Sequence, residues 1–191
     1  MRLGVYGGAY DPPHLGHLVA ASDACEALGL DRLLWIPSAV HPLKPVRTAA
    51  DVRLEMVRAA VAGDGRFVAD GLELQRAGPS YTVDTLRELR AREPEAELFF
   101  LTGADNLREL PRWREPGEIA RLATLAVLGR AGEMLPPDPP LSAVAVTVTR
   151  VDVSSTDIRR RVAAGQSIRY LVPEAVRAVI ERERLYRDHT R

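Results

Sequence analysis

Residues Gly7-Gly8-Ala9-Tyr10-Asp11-Pro12-Pro13-His14-Leu15-Gly16-His17 constrain this chain more than any other stretch. They join a pair of glycines to two histidines where a short apolar run, 2–6, gives way to the helical spacing of Leu18, Ala21, Ala24 and Leu28. A strand-to-helix turn of this composition reads as a phosphate site. Glycines let backbone N–H groups approach an anion, and a helix start adds unpaired N–H groups and the positive end of a dipole. His14 and His17 stand three residues apart, so both can aim from one helix face at the same bound group.

Two other readings of the stretch fit less well. A dinucleotide fingerprint needs the order G-x-G-x-x-G, which Gly4, Gly7 and Gly8 do not supply. A zinc pair needs a third ligand, and no Cys, His or acidic cluster nearby provides one, so no metal site is expected on the protein.

Apolar strand-like runs at 3–6, 32–36, 67–69, 98–101, 124–128 and 144–148 alternate with helical patterns at 15–28, 49–62, 82–92, 118–122, 156–164 and 173–183. Pro173 suits the first position of the last helix. Such alternation predicts an α/β fold with a doubly wound, mainly parallel sheet and ligands at the carboxyl ends of its strands. Residues 37–47 form a loop carrying His41, Pro42, Lys44 and Pro45, and 129–140, rich in proline, are expected to form a mobile surface excursion.

Composition narrows the function classes. With 191 residues, 46% of them hydrophobic, one domain spanning 1–191 can bury a core without disulfides. No apolar run approaches a membrane span, and the first strand follows Met1 directly, so a cytoplasmic location without a membrane partner is expected. A formal charge of zero and a pI near 6.9 argue against a bulk grip on nucleic acid. Cys25 among Ala24, Ala27 and Leu28 reads as a small buried side chain, and Trp35 within a strand reads as core. Basic residues comprise 25 arginines and one lysine, Lys44, which singles that lysine out.

Val153-Ser154-Ser155-Thr156-Asp157-Ile158-Arg159 again follows a strand and opens a helix. Ser154 with Asp157 would make a capping box, while the helix start and Arg159 would also suit an anion. Arg160 and Arg161 read as a solvated face. Together the two segments resemble the nucleotidyltransferase superfamily marked by G-G-[TSA]-[FY]-D-P-x-H-x-G-H and I-S-S-T-x-I-R, with Val153 in place of isoleucine. The resemblance implies a Rossmann-like nucleotidyltransferase fold.

Intervening motifs are similar to those of the bacterial nicotinate-nucleotide adenylyltransferase family over nearly the whole chain. Ile36-Pro37-Ser38-Ala39-Val40-His41-Pro42-Leu43-Lys44 stands where that family has I-P-x-x-x-P-P-H-[KR]; His41 replaces a proline, Leu43 replaces the histidine and Lys44 keeps the basic position. Ser80-Tyr81-Thr82 corresponds to P-S-Y-T, Gly103-Ala104-Asp105 to G-x-D, and Leu110-Pro111-Arg112-Trp113 to F/L-P-x-W.

That family implies adenylyl transfer from ATP to nicotinate mononucleotide, giving nicotinate adenine dinucleotide and pyrophosphate, a step of NAD biosynthesis. On that resemblance Gly8, Ala9, Tyr10 and His17 are assigned to the α-phosphate, His14 to the β side, Lys44, Ser155 and Arg159 to the outer phosphates, and Thr156 to the ATP site. His14, His17, Lys44 and Arg159 carry catalysis; Gly103 and Asp105 receive the adenosine, and Lys44, Tyr81, Thr82 and Trp113 the nicotinate nucleotide. Mg²⁺ is expected to arrive with ATP rather than in a protein cage. Ser80-Tyr81-Thr82 and Trp113 argue against phosphopantetheine as acceptor, Tyr81 and Thr82 favour nicotinate over nicotinamide, and intact His14, His17 and Arg159 argue against a non-catalytic nucleotide sensor. A fragment of a class I aminoacyl-tRNA synthetase fails on length and on the missing lysine-rich signature. Oligomeric state is not readable from these residues.

Overall fold

A computed structural model describes residues 1–42, 46–129 and 143–187. Six strands form one sheet: β1 (Arg2–Gly8), β2 (Arg32–Pro37), β3 (Phe67–Ala69), β4 (Glu97–Gly103), β5 (Thr124–Gly129) and β6 (Ala143–Thr147). Every pairing is parallel and the order is β3-β2-β1-β4-β5-β6. The two halves therefore wind away from each other at the β1–β4 boundary, the crevice where ligands bind in sheets of this kind.

Strand sequences show why both faces are covered. In β4, Leu98 and Phe100 join one cluster with α3 (Thr82–Arg92) and α5 (Pro116–Leu122), whereas Phe99 and Leu101 join another with α1 (Leu15–Leu28) and α2 (Ala50–Val61). Alternation at period two thus feeds two hydrophobic layers, the pattern of a sheet buried on both sides. Trp35 and Cys25 are buried in the second layer, as their surroundings in the sequence suggest. A third cluster, including Met56, Ile158, Val176 and Ile180, docks α6 (Ser155–Ala163) and α7 (Glu174–Arg182) on the outer side of α2.

Three details differ from the sequence reading. β1 runs two residues further than 3–6 suggests, because Gly7 and Gly8 keep pairing with Ile36 and Pro37; the glycines end a strand, and the turn proper lies beyond them. A helix α4 (Ala104–Glu109) and 3₁₀ turns at Leu72–Gln75 and Leu110–Arg112 were not anticipated, being too short to show a period. Pro173 caps α7 from outside and does not occupy its first turn. The proposed excursion at 129–140 lies, but for Gly129, outside the described residues, as do Leu43, Lys44 and Pro45. No helix among the described residues is long and apolar enough to cross a membrane.

Candidate active site

The turn after β1 is built by side chains folding back on it. Tyr10 adopts a left-handed φ of 49°, is 2% exposed, and donates its hydroxyl to the Tyr6 carbonyl at 2.7 Å. Its ring lies against the place a Cβ on Gly8 would occupy, with the closest atom at 3.1 Å. Any other residue at position 8 would have to push the Tyr10 ring back by a few tenths of an ångström, so glycine serves here for clearance and not for a special φ. Edge contacts of Tyr10 with Tyr6 and His17, and a tilted contact with Trp35, lock the turn to the sheet.

His14 caps α1 and His17 is its third residue. The His14 backbone N–H donates to His17 Nδ1 at 3.2 Å, and the two rings stack with centroids 3.8 Å apart. Since Nδ1 accepts, the neutral His17 ring carries its proton on Nε2. Burial holds His14 down at about 4, and burial followed by the charge of His14 holds His17 well below the ordinary imidazole range. Both rings are neutral hydrogen-bonding groups at neutral pH. Gly16 makes the stacking possible: a Cβ there would stand 3.1 Å from the His14 ring and 3.4 Å from the Val151 carbonyl.

The second signature reaches the first across the crevice. Ser154 caps α6, its Oγ accepting from the Asp157 N–H at 3.1 Å, so the capping arrangement is present. Ser155 Oγ donates to the Pro12 carbonyl at 2.8 Å, and Arg159 Nη1 donates to the Asp11 carbonyl at 2.7 Å while Nη2 bonds Thr156 Oγ1 at 3.1 Å. Leu15 N–H donates to the Leu171 carbonyl at 3.0 Å, a further tie. Residues more than 140 positions apart thus share one strand-end loop.

On the opposite sheet face, Trp113 ends the 3₁₀ turn and packs half-buried, edge-on to Phe100 with centroids 5.9 Å apart. Phe100 in turn lies 3.8 Å from the Cβ position of Gly7, so this aromatic wall abuts the end of β1. Tyr81 caps α3, with Arg114 stacked over its ring at 5.1 Å, and Thr82 begins that helix. The segment is held by Ser80, whose Oγ accepts from the Ala39 N–H at 3.0 Å and whose own N–H donates to the Val40 carbonyl at 2.9 Å.

Four buried side-chain polar atoms have no partner among the described residues: His14 Nδ1, Ser38 Oγ, Thr102 Oγ1 and Trp35 Nε1. The first three sit just past or at the carboxyl ends of β1, β2 and β4. Uncompensated polar burial is costly, and its concentration along one sheet edge is what a polar ligand site requires.

Similarity to known proteins identifies the family. The cytidylyltransferase-like family model matches residues 5–161. A probable nicotinate-nucleotide adenylyltransferase of Thermus thermophilus is 50% identical over 187 residues, covering 98% of this chain and 100% of the relative. The chain belongs to the nicotinate-nucleotide adenylyltransferase family. It is therefore a nucleotidyltransferase. A probable member from Geobacillus thermodenitrificans is 41% identical over 191 residues, covering 99% of this chain and 88% of the relative. The fold likeness extends to the solved nicotinic acid mononucleotide adenylyltransferase of Plasmodium falciparum complexed with NaAD, at a TM-score of 0.79 and 15% identity over 97% of each chain.

Within that family frame, the structure gathers Gly8, Ala9, Tyr10, His14, His17, Ser155, Thr156 and Arg159 around one loop, and sets Tyr81, Thr82 and Trp113 on the far face of the same sheet edge. Gly103 ends β4 and Asp105 lies in the first turn of α4, at the adjoining strand end. Lys44 is outside the described residues. Sequence reasoning missed three participants. Arg53 binds the Ala9 carbonyl; Tyr186 donates to Asp11 Oδ1 at 2.6 Å; and buried Glu73 accepts from Thr85 Oγ1 at 2.6 Å beneath the Tyr81 helix start. Burial raises the Glu73 carboxyl above the usual range, against the opposing hydrogen bonds of Thr85 and Ser80.

Proposed function

We propose that this chain transfers the adenylyl group of ATP to nicotinate mononucleotide, giving nicotinate adenine dinucleotide and pyrophosphate, with residues 1–191 acting as one nucleotidyltransferase domain in the cytoplasm as a step of NAD biosynthesis. The observation that carries the reading is the meeting of His14 and His17 with the Ser155 and Arg159 segment at the strand end of the β1–β4 crevice.

A phosphate oxygen of the acceptor is already ionised near neutral pH, so its attack on the α-phosphorus of ATP needs no general base. The bond from that oxygen to the α-phosphorus forms as the bond to the β-phosphate bridging oxygen breaks, and pyrophosphate leaves with the electron pair. Catalysis is then a matter of alignment and of neutralising developing charge. His17 offers Nε2–H to the α-phosphate together with the backbone of Gly8, Ala9 and Tyr10, and His14 serves the β side. Lys44, Ser155 and Arg159 take the outer phosphates, and Thr156 belongs to the same ATP site. Gly103 and Asp105 receive the adenosine; Lys44, Tyr81 and Thr82 hold the nicotinate nucleotide, and Trp113 stacks on its ring.

Among the described residues no group of three or more His, Cys, Asp or Glu could hold a metal ion. Mg²⁺ carried in with ATP would spread the negative charge of the leaving pyrophosphate. The test is product identification: incubating the purified chain with ATP, Mg²⁺ and nicotinate mononucleotide should yield the dinucleotide by mass spectrometry, and its absence would refute the reading.

A further inference from the structure

Arg53 is the most buried charged side chain among the described residues, at 1% exposure in the first turn of α2. Among the described residues its guanidinium binds only main-chain carbonyls, and these come from three places. Nε donates to Thr48 at 2.9 Å, Nη1 to Ala9 at 2.8 Å, and Nη2 to Ser38 at 2.7 Å and Ala39 at 3.2 Å. Ala9 belongs to the phosphate turn, Ser38 and Ala39 open the loop that leads toward Lys44, and Thr48 closes that loop. A groove of about 580 Å³ lined by His41, Arg47, Thr48 and Arg53 lies along the same loop.

No carboxylate of the described residues stands within ion-pair distance of Arg53, so its charge is not cancelled by a direct partner. Asp11 is the leading acidic group acting on it through space, against the penalty of burial. Burying a guanidinium costs several kcal/mol, and the cost is tolerated where the planar fork meets a complete set of acceptors. A solvated helix-start arginine would need none of this.

We propose that Arg53 is a positioning residue for adenylyl transfer, fixing the Gly8-Ala9-Tyr10 turn against Ser38, Ala39 and Thr48 so that the backbone groups of the turn meet the α-phosphate in line. The role rests on the reaction proposed above. A lysine ammonium gathers its three donors on one nitrogen and cannot reproduce the spread of a guanidinium over carbonyls lying on three sides. Loss of the fork lets the turn drift relative to the loop, which harms alignment at the α-phosphorus more than ground-state binding of either substrate.

Steady-state kinetics of Arg53→Lys and Arg53→Ala, beside the wild type and with melting curves for each, test this. A misplacement of about 1 Å is worth about a hundredfold, so kcat should fall by about that factor in Arg53→Ala and about tenfold in Arg53→Lys, with both KM values little changed. Added guanidinium at non-denaturing concentration should restore kcat of Arg53→Ala several-fold, and methylammonium should not. Wild-type kcat in folded variants would overturn the role, as would a loss that merely tracks the unfolded fraction, or a folded Arg53→Ala that guanidinium leaves unchanged. A wild type inactive on nicotinate mononucleotide would overturn the reaction and this role together.

Discussion

The backbone N–H of His14 points at Nδ1 of His17, 3.2 Å away, and this one bond leaves Nε2 as the donor nitrogen of the neutral ring. The cap of α1 and the orientation of the second histidine are the same structural event. Replacing His17 by alanine removes the Nε2–H donor and leaves the His14 N–H without its acceptor. The expected loss is about 2 to 4 kcal/mol of barrier reduction, or roughly a thirtyfold to thousandfold drop in kcat, by analogy with deleting an oxyanion donor. Single-turnover rates with saturating ATP measure it, and a near-normal rate would remove His17 from the chemistry.

Stability should fall on mild acidification. His14 is held at about 4 against an ordinary 6.5 by burial, and His17 is held lower than its ordinary value too. The unfolded chain takes up protons near pH 6.5, whereas the folded chain resists until well below it. The contribution is therefore complete above about pH 6.5 and is lost as pH drops toward 4, a range worth about 3 kcal/mol for His14. Urea midpoints across that window should shift less in His14→Asn; an equal shift in that variant would show that other groups drive it.

Gly16→Ala is a small change in a place without room. Its Cβ would press on the His14 ring at 3.1 Å and the Val151 carbonyl at 3.4 Å. The ring must tilt away, because the backbone of the β6–α6 connection yields less readily than a side chain. An overpacking cost of about 1 to 3 kcal/mol in stability, with a larger proportional loss of kcat, is expected. Thermal melts and kinetics together check both parts; full activity would mean that the stacked geometry of His14 and His17 is dispensable.

Trp113 touches Phe100 edge-on while remaining half-exposed at the rim of the crevice. If its free face takes the pyridine ring, Trp113→Ala should raise KM for nicotinate mononucleotide about tenfold or more and leave KM for ATP nearly unchanged, since base–aromatic stacking is worth about 1 to 3 kcal/mol. Trp113→Phe should recover part of the loss. Equal increases in both KM values would point to a structural disturbance of the rim.

Much of this arrangement was legible in the chain. The β1–α1 junction announced itself because glycines and histidines at fixed spacing have few other uses, and the alternation of apolar runs specified a parallel sheet. Gly7 and Gly8 proved to be strand residues because their state depends on pairing with Ile36 and Pro37, a partner no local pattern reveals. Arg53 stayed hidden for a related reason: in a chain with 25 arginines, one at a helix start reads as solvated, and only the meeting of three segments buries it. Tyr186 and Asp11, separated by 175 positions, are joined by docking of α7 on α2, which leaves no mark near either residue. Helix α4 and the turn carrying Trp113 are shorter than the period needed to recognise them, so the motif located Trp113 where periodicity could not.

The most direct test of the whole account is pyrophosphate release by the purified chain with ATP and Mg²⁺, comparing kcat/KM for nicotinate mononucleotide, nicotinamide mononucleotide and phosphopantetheine. The account predicts a marked preference for nicotinate mononucleotide and negligible use of phosphopantetheine. Preference for either of the other acceptors, or no release with any of them, would contradict it.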